Sequence, residues 1–310
     1  MNNCEGKSFM ESSNGILLDS GTNELEIIEF QIHNNSFGIN VIKVKEIIQP
    51  LPVTYIPHAH PFIKGIIQLR GEVLPVVDLR KVLQLGESTT NADEKYIVTE
   101  FNKQKVVFQV QNVTQIHRIS WDQIEKPSDL YSGDEAKIIG VIKKNDNMIL
   151  MLDFERIVTE INPETGINKN EIKKLGKRER SSKRIVVAED SSLLRKLIHD
   201  TLYEAGYENV EFFENGKDAF QYLESILMAG KNILDEVQLI ITDIEMPQMD
   251  GHHFTKKVKN NEQLSQVPVI IFSSLITDSL RHKGEIVGAD DQVSKPEINQ
   301  LILKIDEHIK

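Results

Sequence analysis

Apolar and polar residues alternate along the first half of the chain. In KVVFQVQNV, from Lys105 to Val113, Phe108 and Val110 are apolar while Gln109 and Gln111 are polar. A period of two suits a strand with one buried face. Similar short runs are IIEFQI (Ile27 to Ile32), FIKGIIQL (Phe62 to Leu69), EVLPVVDL (Glu72 to Leu79), AKIIGVIK (Ala136 to Lys143) and NMILMLDF (Asn147 to Phe154). Asn34-Asn35, Arg70-Gly71, Ser132-Gly133 and Asn145-Asp146 punctuate them as turns. Pro75 lies inside one run, which predicts an edge or bulged strand there. Many short strands with few helical stretches predict a small barrel or a pair of barrels.

The second half has a different rhythm. RIVVAED reads as a β-branched strand, and Ser191 can cap the helix after it. Leu193, Leu194, Leu197, Ile198 and Leu202 then fall at helical spacing. Strands near ENVEFF, LIITD, VPVIIFS and DQVSK follow, with a helix from about Gly216 and a closing helix from Ile298 to His308. Five strands alternating with helices predict a parallel, doubly wound α/β sheet.

The boundaries expected are a polar tail over 1–22, an all-β domain over 23–160, a linker over 161–182 and an α/β domain over 183–310. The linker contains EIKKLGKRERSSKR, whose charge suits a solvated tether. With 40% hydrophobic residues the chain can fill packed cores. The net charge of −11 disfavours nucleic acid and anionic membrane as partners. The single cysteine, Cys4, excludes an internal disulfide and fits a reducing compartment. Met1, Asn2 and Asn3 supply no apolar run before it, so lipidation is not expected. No apolar run approaches the ~18 residues of a membrane span. These features predict a cytoplasmic protein without direct membrane insertion.

In LIITDIEMPQMDG, Leu239 to Gly251, a buried-looking strand runs into Asp243 and stops. In open parallel sheets the binding crevice lies at the carboxyl ends of the strands. Glu189-Asp190, Asp243, Ser273-Ser274 and Lys295 all stand at such ends. Clustered carboxylates repel unless a cation is present. Mg²⁺ suits them, because it needs few protein ligands and keeps waters that a phosphate can replace. Lys295 adds a point charge for phosphoryl oxygen and Ser273 a hydroxyl. The set suits phosphoryl transfer onto Asp243.

This half resembles the receiver domain of two-component response regulators. The resemblance rests on Glu189-Asp190, the D-x-x-M-P-x-M-D-G run from Asp243, Ser273 in PVIIFSS, Asn215-Gly216 with Ala219, and G-A-D-D-x-x-x-K-P from Gly288. It implies a CheY-like receiver with Asp243 as phosphoacceptor. It also implies Mg²⁺ on Asp190, Asp243 and the carbonyl of Glu245, with Glu189 acting through water, and phosphoryl oxygens held by Ser273 and Lys295. Two positions depart from the pattern. Gln292 stands where the family commonly has an aromatic, and Leu275 cannot hydrogen-bond a water beside the site. A longer-lived phosphoryl group than in the fastest receivers is expected from Leu275.

The first half offers no catalytic set. His58 and His60 lie in a proline-flanked loop without a third ligand, and Trp121 and Tyr131 read as packing residues. EFQIHNNSFGINVIKVKEII and TYIPHAHPFIKGIIQLRGEVLPVVDLRKVLQL resemble the CheW adaptor family, most specifically from Gly65 to Arg80. That implies two packed SH3-like barrels that bind chemoreceptor cytoplasmic tips and the histidine kinase CheA. Glu46, Arg70, Gly71 and Arg80 are the expected contact residues. For Arg70 an internal ion pair with Asp78 or Glu72 is the competing reading. An adaptor joined to a receiver resembles the CheV family of chemotaxis coupling proteins. The implied role is phosphorylation-dependent coupling at membrane-associated receptor arrays, without enzyme activity of its own. A phosphate sink that drains CheA is the alternative. A transcriptional regulator is disfavoured by the acidic balance and the lack of a helix-turn-helix pattern.

Overall fold

The computed structural model describes residues 22–86, 94–101, 104–125, 137–144, 147–163, 178–274, 276, 278–295 and 297–309. Cys4, Tyr131, Leu275 and most of the expected linker lie outside them.

The first half contains β1 (Glu24–Ile32), β2 (Asn35–Asn40), β3 (Val44–Ile48), β4 (Ile63–Leu69), β5 (Glu72–Asp78), α1 (Leu79–Val82), β6 (Lys95–Phe101), β7 (Gln104–Val110), β8 (Asn112–Ser120), β9 (Ile124–Glu125), β10 (Ile138–Lys144), β11 (Asn147–Leu152) and α2 (Phe154–Ile161). The strands form a six-stranded sheet, β8-β1-β2-β11-β10-β9, and a five-stranded sheet, β3-β6-β7-β5-β4. Each sheet wraps its own small core, one around Ile27, Trp121 and Ile149, the other around Ile67, Val76 and Tyr96. A larger core joins them, with Phe30 and Phe37 of one sheet against Val77, Ile97 and Phe108 of the other. Phe154 completes it. The ring is fully buried and meets Phe108 edge-on at 4.8 Å between centroids. This contact pins the first turn of α2, which matters for the site below.

Arg70 and Gly71 both have positive φ, +49° and +90°. A two-residue loop with that geometry matches the right-handed twist of its flanking strands, and here it closes the β4–β5 hairpin from Leu69 to Glu72. Pro75 does not mark an edge strand, because β5 lies between β4 and β7. Pairing with β7 begins at Val76, so the residue without an amide proton stands just outside that ladder.

The second half contains β12 (Ser181–Ala188), α3 (Ser192–Glu204), β13 (Tyr207–Phe213), α4 (Gly216–Met228), α5 (Ile233–Glu236), β14 (Leu239–Thr242), α6 (Gly251–Asn260), β15 (Val269–Ser273), α7 (Asp278–Ile286), β16 (Asp291–Ser294) and α8 (Ile298–His308). The sheet order is β13-β12-β14-β15-β16, and every neighbouring pair is parallel. Alternate residues of β12 serve opposite faces. Ile185 and Val187 pack with Ile198, Leu202, Leu301 and Ile305, whereas Val186 and Ala188 pack with Leu223, Phe254 and Val258. A strand buried on both faces reads as an unbroken apolar run, which is why RIVVA lacks alternation. Ser191 caps α3 by accepting from the amide of Leu194. Leu193 of the apolar stripe is exposed on the outer side of that helix.

β12 begins inside the stretch read as linker. The end of the basic run is paired rather than free: Arg178 pairs with Asp306, and Arg180 covers the ring of Tyr203 at 4.4 Å while pairing with Glu208. Acidic partners on the α/β domain therefore take up these cations.

Candidate functional site

The parallel register brings the strand ends together. Ala188 pairs with Thr242 and Ser273 with Ser294, so the residues after them share one edge of the sheet. Glu189, Asp190 and Asp243 each direct an oxygen into a cluster no wider than 4.8 Å. Lys295 Nζ donates to Asp243 Oδ2 at 2.9 Å and lies 3.0 Å from Glu189 Oε2. Ser273 is buried at the end of β15 beside them. The other oxygen of Asp243 accepts from the amide of Ile244 at 2.7 Å. Arg195 donates to the carbonyls of Glu189 and Asp190, both at 2.8 Å, and so fixes the loop that carries the two acids.

Electrostatics follow from burial. Burial pushes Glu189 up to about 7; Lys295 opposes that rise and the charge of Asp243 adds to it. Burial, with the charges of Glu189 and Asp243, pushes Asp190 well above the usual carboxylate range. Lys295 keeps its proton despite burial because Asp243 and Glu189 face it. Three acids against one lysine leave an excess of negative charge. A hard divalent cation fits this donor set, because it supplies charge and accepts oxygen ligands.

The carboxylate of Glu245 stands apart from the three. It turns toward the β-rich half, where Lys43 Nζ lies 2.5 Å from one oxygen and Asn40 Nδ2 donates to the other at 2.7 Å. A 3-10 turn, Val41–Lys43, presents both residues, with Asn40 as its cap. Lys43 also meets Glu155 at 3.2 Å, in the first turn of α2. Glu155 in turn hydrogen-bonds Ser274, next to Ser273. Burial opposes its charge, but Lys43 and Lys295 hold Glu155 down to about 2. The loop after β14 makes further links. The amide of Gln248 donates to the Trp121 carbonyl at 3.0 Å, and the Asn23 side chain bonds the Gln248 carbonyl and the Asp250 amide. The two halves thus meet at the mouth of the acidic cluster.

Sequence reasoning missed this seam. Lys43 and Asn40 sit in the strand-like INVIKVKEII, and Glu155 directly follows the strand-like NMILMLDF with nothing in the pattern to single it out.

The expected contact residues of the β-rich half lie elsewhere. Arg70 projects from its hairpin with its side chain 78% exposed, and it pairs with Glu46 at 2.8 Å. It pairs with neither Asp78 nor Glu72, which bind Arg80 and Lys105 instead. Arg80 is largely covered, between Asp78 and Glu94. Gln292, at the position of the usual aromatic, donates to the Arg281 carbonyl at 2.7 Å and ties β16 to α7.

Comparison with known proteins gives two domain matches, a CheW-like domain over residues 26–162 and a response regulator receiver domain over residues 185–306. Chemotaxis protein CheV3 of Helicobacter pylori is 31% identical over 288 residues, covering 87% of this chain and 90% of that protein. The chain belongs to the CheV family. Its CheW-like half is also similar to chemotaxis protein CheW of H. pylori, 28% identical over 148 residues, 48% of this chain and 90% of that protein. Among solved structures it is similar to the scaffolding protein TtCheW of Thermoanaerobacter tengcongensis, 31% identical with a TM-score of 0.39, covering 41% of this chain and 88% of that one. The CheV assignment joins the two β-sheets of the adaptor half and the five-stranded receiver in one signalling chain. Among the described residues no helix is long and apolar enough to cross a membrane.

Proposed function

We propose that this chain is a chemotaxis coupling adaptor whose grip on its partners is set by phosphorylation of Asp243. The carrying observation is the CheV match across both halves, together with the acids and lysine that meet at one sheet edge. The proposed partners are the kinase CheA and the cytoplasmic tips of chemoreceptors, at receptor arrays on the cytoplasmic side of the membrane. The exposed Arg70–Gly71 hairpin with Glu46, and exposed Val73 and Ile47 nearby in sequence, support docking through the five-stranded sheet. The chain acts as an adaptor rather than as an enzyme.

In the proposed reaction a carboxylate oxygen of Asp243 forms a bond to phosphorus as the bond from phosphorus to the donor's imidazole nitrogen breaks. The imidazole then takes up a proton. Lys295 and Ser273 hold phosphoryl oxygens, and Lys295 is already aligned on Asp243. Asp190, Asp243 and the carbonyl of Glu245 would hold Mg²⁺, with Glu189 in support; the ion supplies positive charge against the phosphoryl group. The new group adds a charge of about −1.5 to −2. A coupling of about 1–3 kcal/mol would change partner affinity about 5- to 150-fold. Direct bonding between adaptor and receiver favours this coupling over a phosphate sink, which needs no such link.

Asp243→Asn is expected to keep receptor binding and to lose every phosphorylation-dependent change in kinase output. Reconstituted receptor, kinase and adaptor test this. Normal adaptation of output with the variant would defeat the proposal.

Metal binding should depend on pH. Below about 7 Glu189 holds a proton that Mg²⁺ must displace. Asp190, whose carboxyl is also raised, adds a second such proton, so affinity should rise as pH climbs through neutrality. Calorimetric titration with Mg²⁺ across that range is the check, and a flat profile contradicts it.

A further inference from the structure

We propose that the adaptor half closes the receiver's phosphorylation site, so that docking of the two halves and a phosphoryl group on Asp243 exclude each other. This inference rests on Asp243 being the phosphoacceptor. Glu189, Asp243, Ser273 and Lys295 are all buried in the docked arrangement, and Lys295 is only 4% exposed. A phosphohistidine on a kinase domain is bulky and needs an open approach to Asp243. The adaptor elements nearest that approach are the 3-10 turn, whose Lys43 reaches Glu245, and the first turn of α2, whose Glu155 reaches Ser274.

The same contacts supply the switch. Lys43 is buried between two carboxylates, Glu245 of the receiver and Glu155 of its own half. Glu155 reaches Ser274, beside the hydroxyl proposed to hold a phosphoryl oxygen, and it feels the charge of Lys295. Without phosphate, Lys295 and Lys43 balance this carboxylate. A phosphoryl group on Asp243 draws Lys295 to itself and sets its own negative charge against Glu155. Two anions in a buried seam repel strongly. The seam then opens, and the surfaces around Lys43 and α2 become free. Transfer onto Asp243, with its new phosphorus–oxygen bond and the broken donor bond, thus takes place in the open state and holds it open.

Amide hydrogen exchange on the full-length chain tests this. The amides of Gln248 and Asp250 donate across the seam, to the Trp121 carbonyl and the Asn23 side chain. With Mg²⁺ alone they should be protected. Adding beryllium fluoride, an acyl phosphate mimic, should speed their exchange and that of the first turn of α2 by about tenfold, with a larger radius of gyration in X-ray scattering. Lys43→Ala leaves Glu245 and Glu155 facing each other and should open the seam without the mimic. Its uptake of phosphoryl from acetyl phosphate should be about 5- to 150-fold faster than wild type, the span of a typical coupling. Circular dichroism checks that the variant is folded; if it is not, the wild-type comparison with and without beryllium fluoride decides. Phosphoryl uptake with unchanged exchange overturns this inference alone. No uptake on Asp243 in either protein overturns it together with the functional reading beneath it.

Discussion

Lys295→Ala is expected to slow phosphoryl uptake on Asp243 by about 100- to 1,000-fold, the usual cost of removing one positioned group that stabilises charge in the transition state. The ammonium touches both Asp243 and Glu189 and is the sole cation within the acid cluster among the described residues. The same substitution should destabilise the metal-free protein. Removing one partner of a buried pair leaves the other charges uncompensated, at about 3–5 kcal/mol. The sign with pH is fixed by the acids. Burial already raises Glu189 above its unfolded value, and loss of Lys295 raises it further. A raised carboxylate contributes stability at low pH that is lost as pH climbs through the folded value. The deficit of the variant should therefore grow from acid toward pH values above 7, and Mg²⁺ should shrink it. Urea unfolding at several pH values, with and without Mg²⁺, reads both effects. A deficit independent of pH and metal would show that Lys295 does not offset these carboxylates.

Gly251→Ala should cost about 3 kcal/mol or more, at the upper end for overpacked positions. A Cβ at Gly251 would collide with the backbone carbonyl of Asp243 and approach Thr242 Oγ1 at 3.0 Å. Neither neighbour can yield cheaply. The Asp243 amide is held by the Ala188 carbonyl at 2.9 Å, and its carbonyl accepts from Thr242 Oγ1 at 2.9 Å. The glycine lets the first turn of α6 cross directly over the backbone of Asp243, with its own amide donating to Ile244. The methyl must push the strand end away, and phosphoryl uptake should fall with stability. Gly86→Ala is the control, because nothing lies within 4 Å of a Cβ there. Denaturant midpoints for both variants decide the matter; equal midpoints would mean the loop after β14 has slack.

The receiver half was legible because its chemistry is local to strand ends. RIVVAED, LIITD and VPVIIFS each carry a buried strand and its terminal side chain within a few residues, and a parallel sheet converts that sequence order into one cluster. The closing helix, Ile298–His308, carries its own apolar spacing and falls where its pattern ends. The adaptor half showed its strands but not their neighbours. Pro75 reads as a sign of an edge or bulged strand; the β4–β5 pairing does shift register between Ile63 and Gly65, but β5 is no edge, because its parallel partner is β7, whose placement depends on contacts far along the chain. The seam was hidden for the same reason, more strongly. Asn40 bonds Glu245 across a sequence separation of 205 residues, and no local pattern tells a buried cation from a solvated one. Arg70 was legible as an exposed turn residue, because a positive-φ hairpin needs only its own few residues. Its partner Glu46 lies on another strand and was not legible as such.

The most direct test of the central claim is peptide mapping by mass spectrometry after the full-length chain is incubated with acetyl phosphate and Mg²⁺. One phosphoryl group per chain is expected, located on Asp243, dependent on Mg²⁺ and lost in Asp243→Asn. A folded chain that remains unmodified, or that carries the group on another residue, contradicts it.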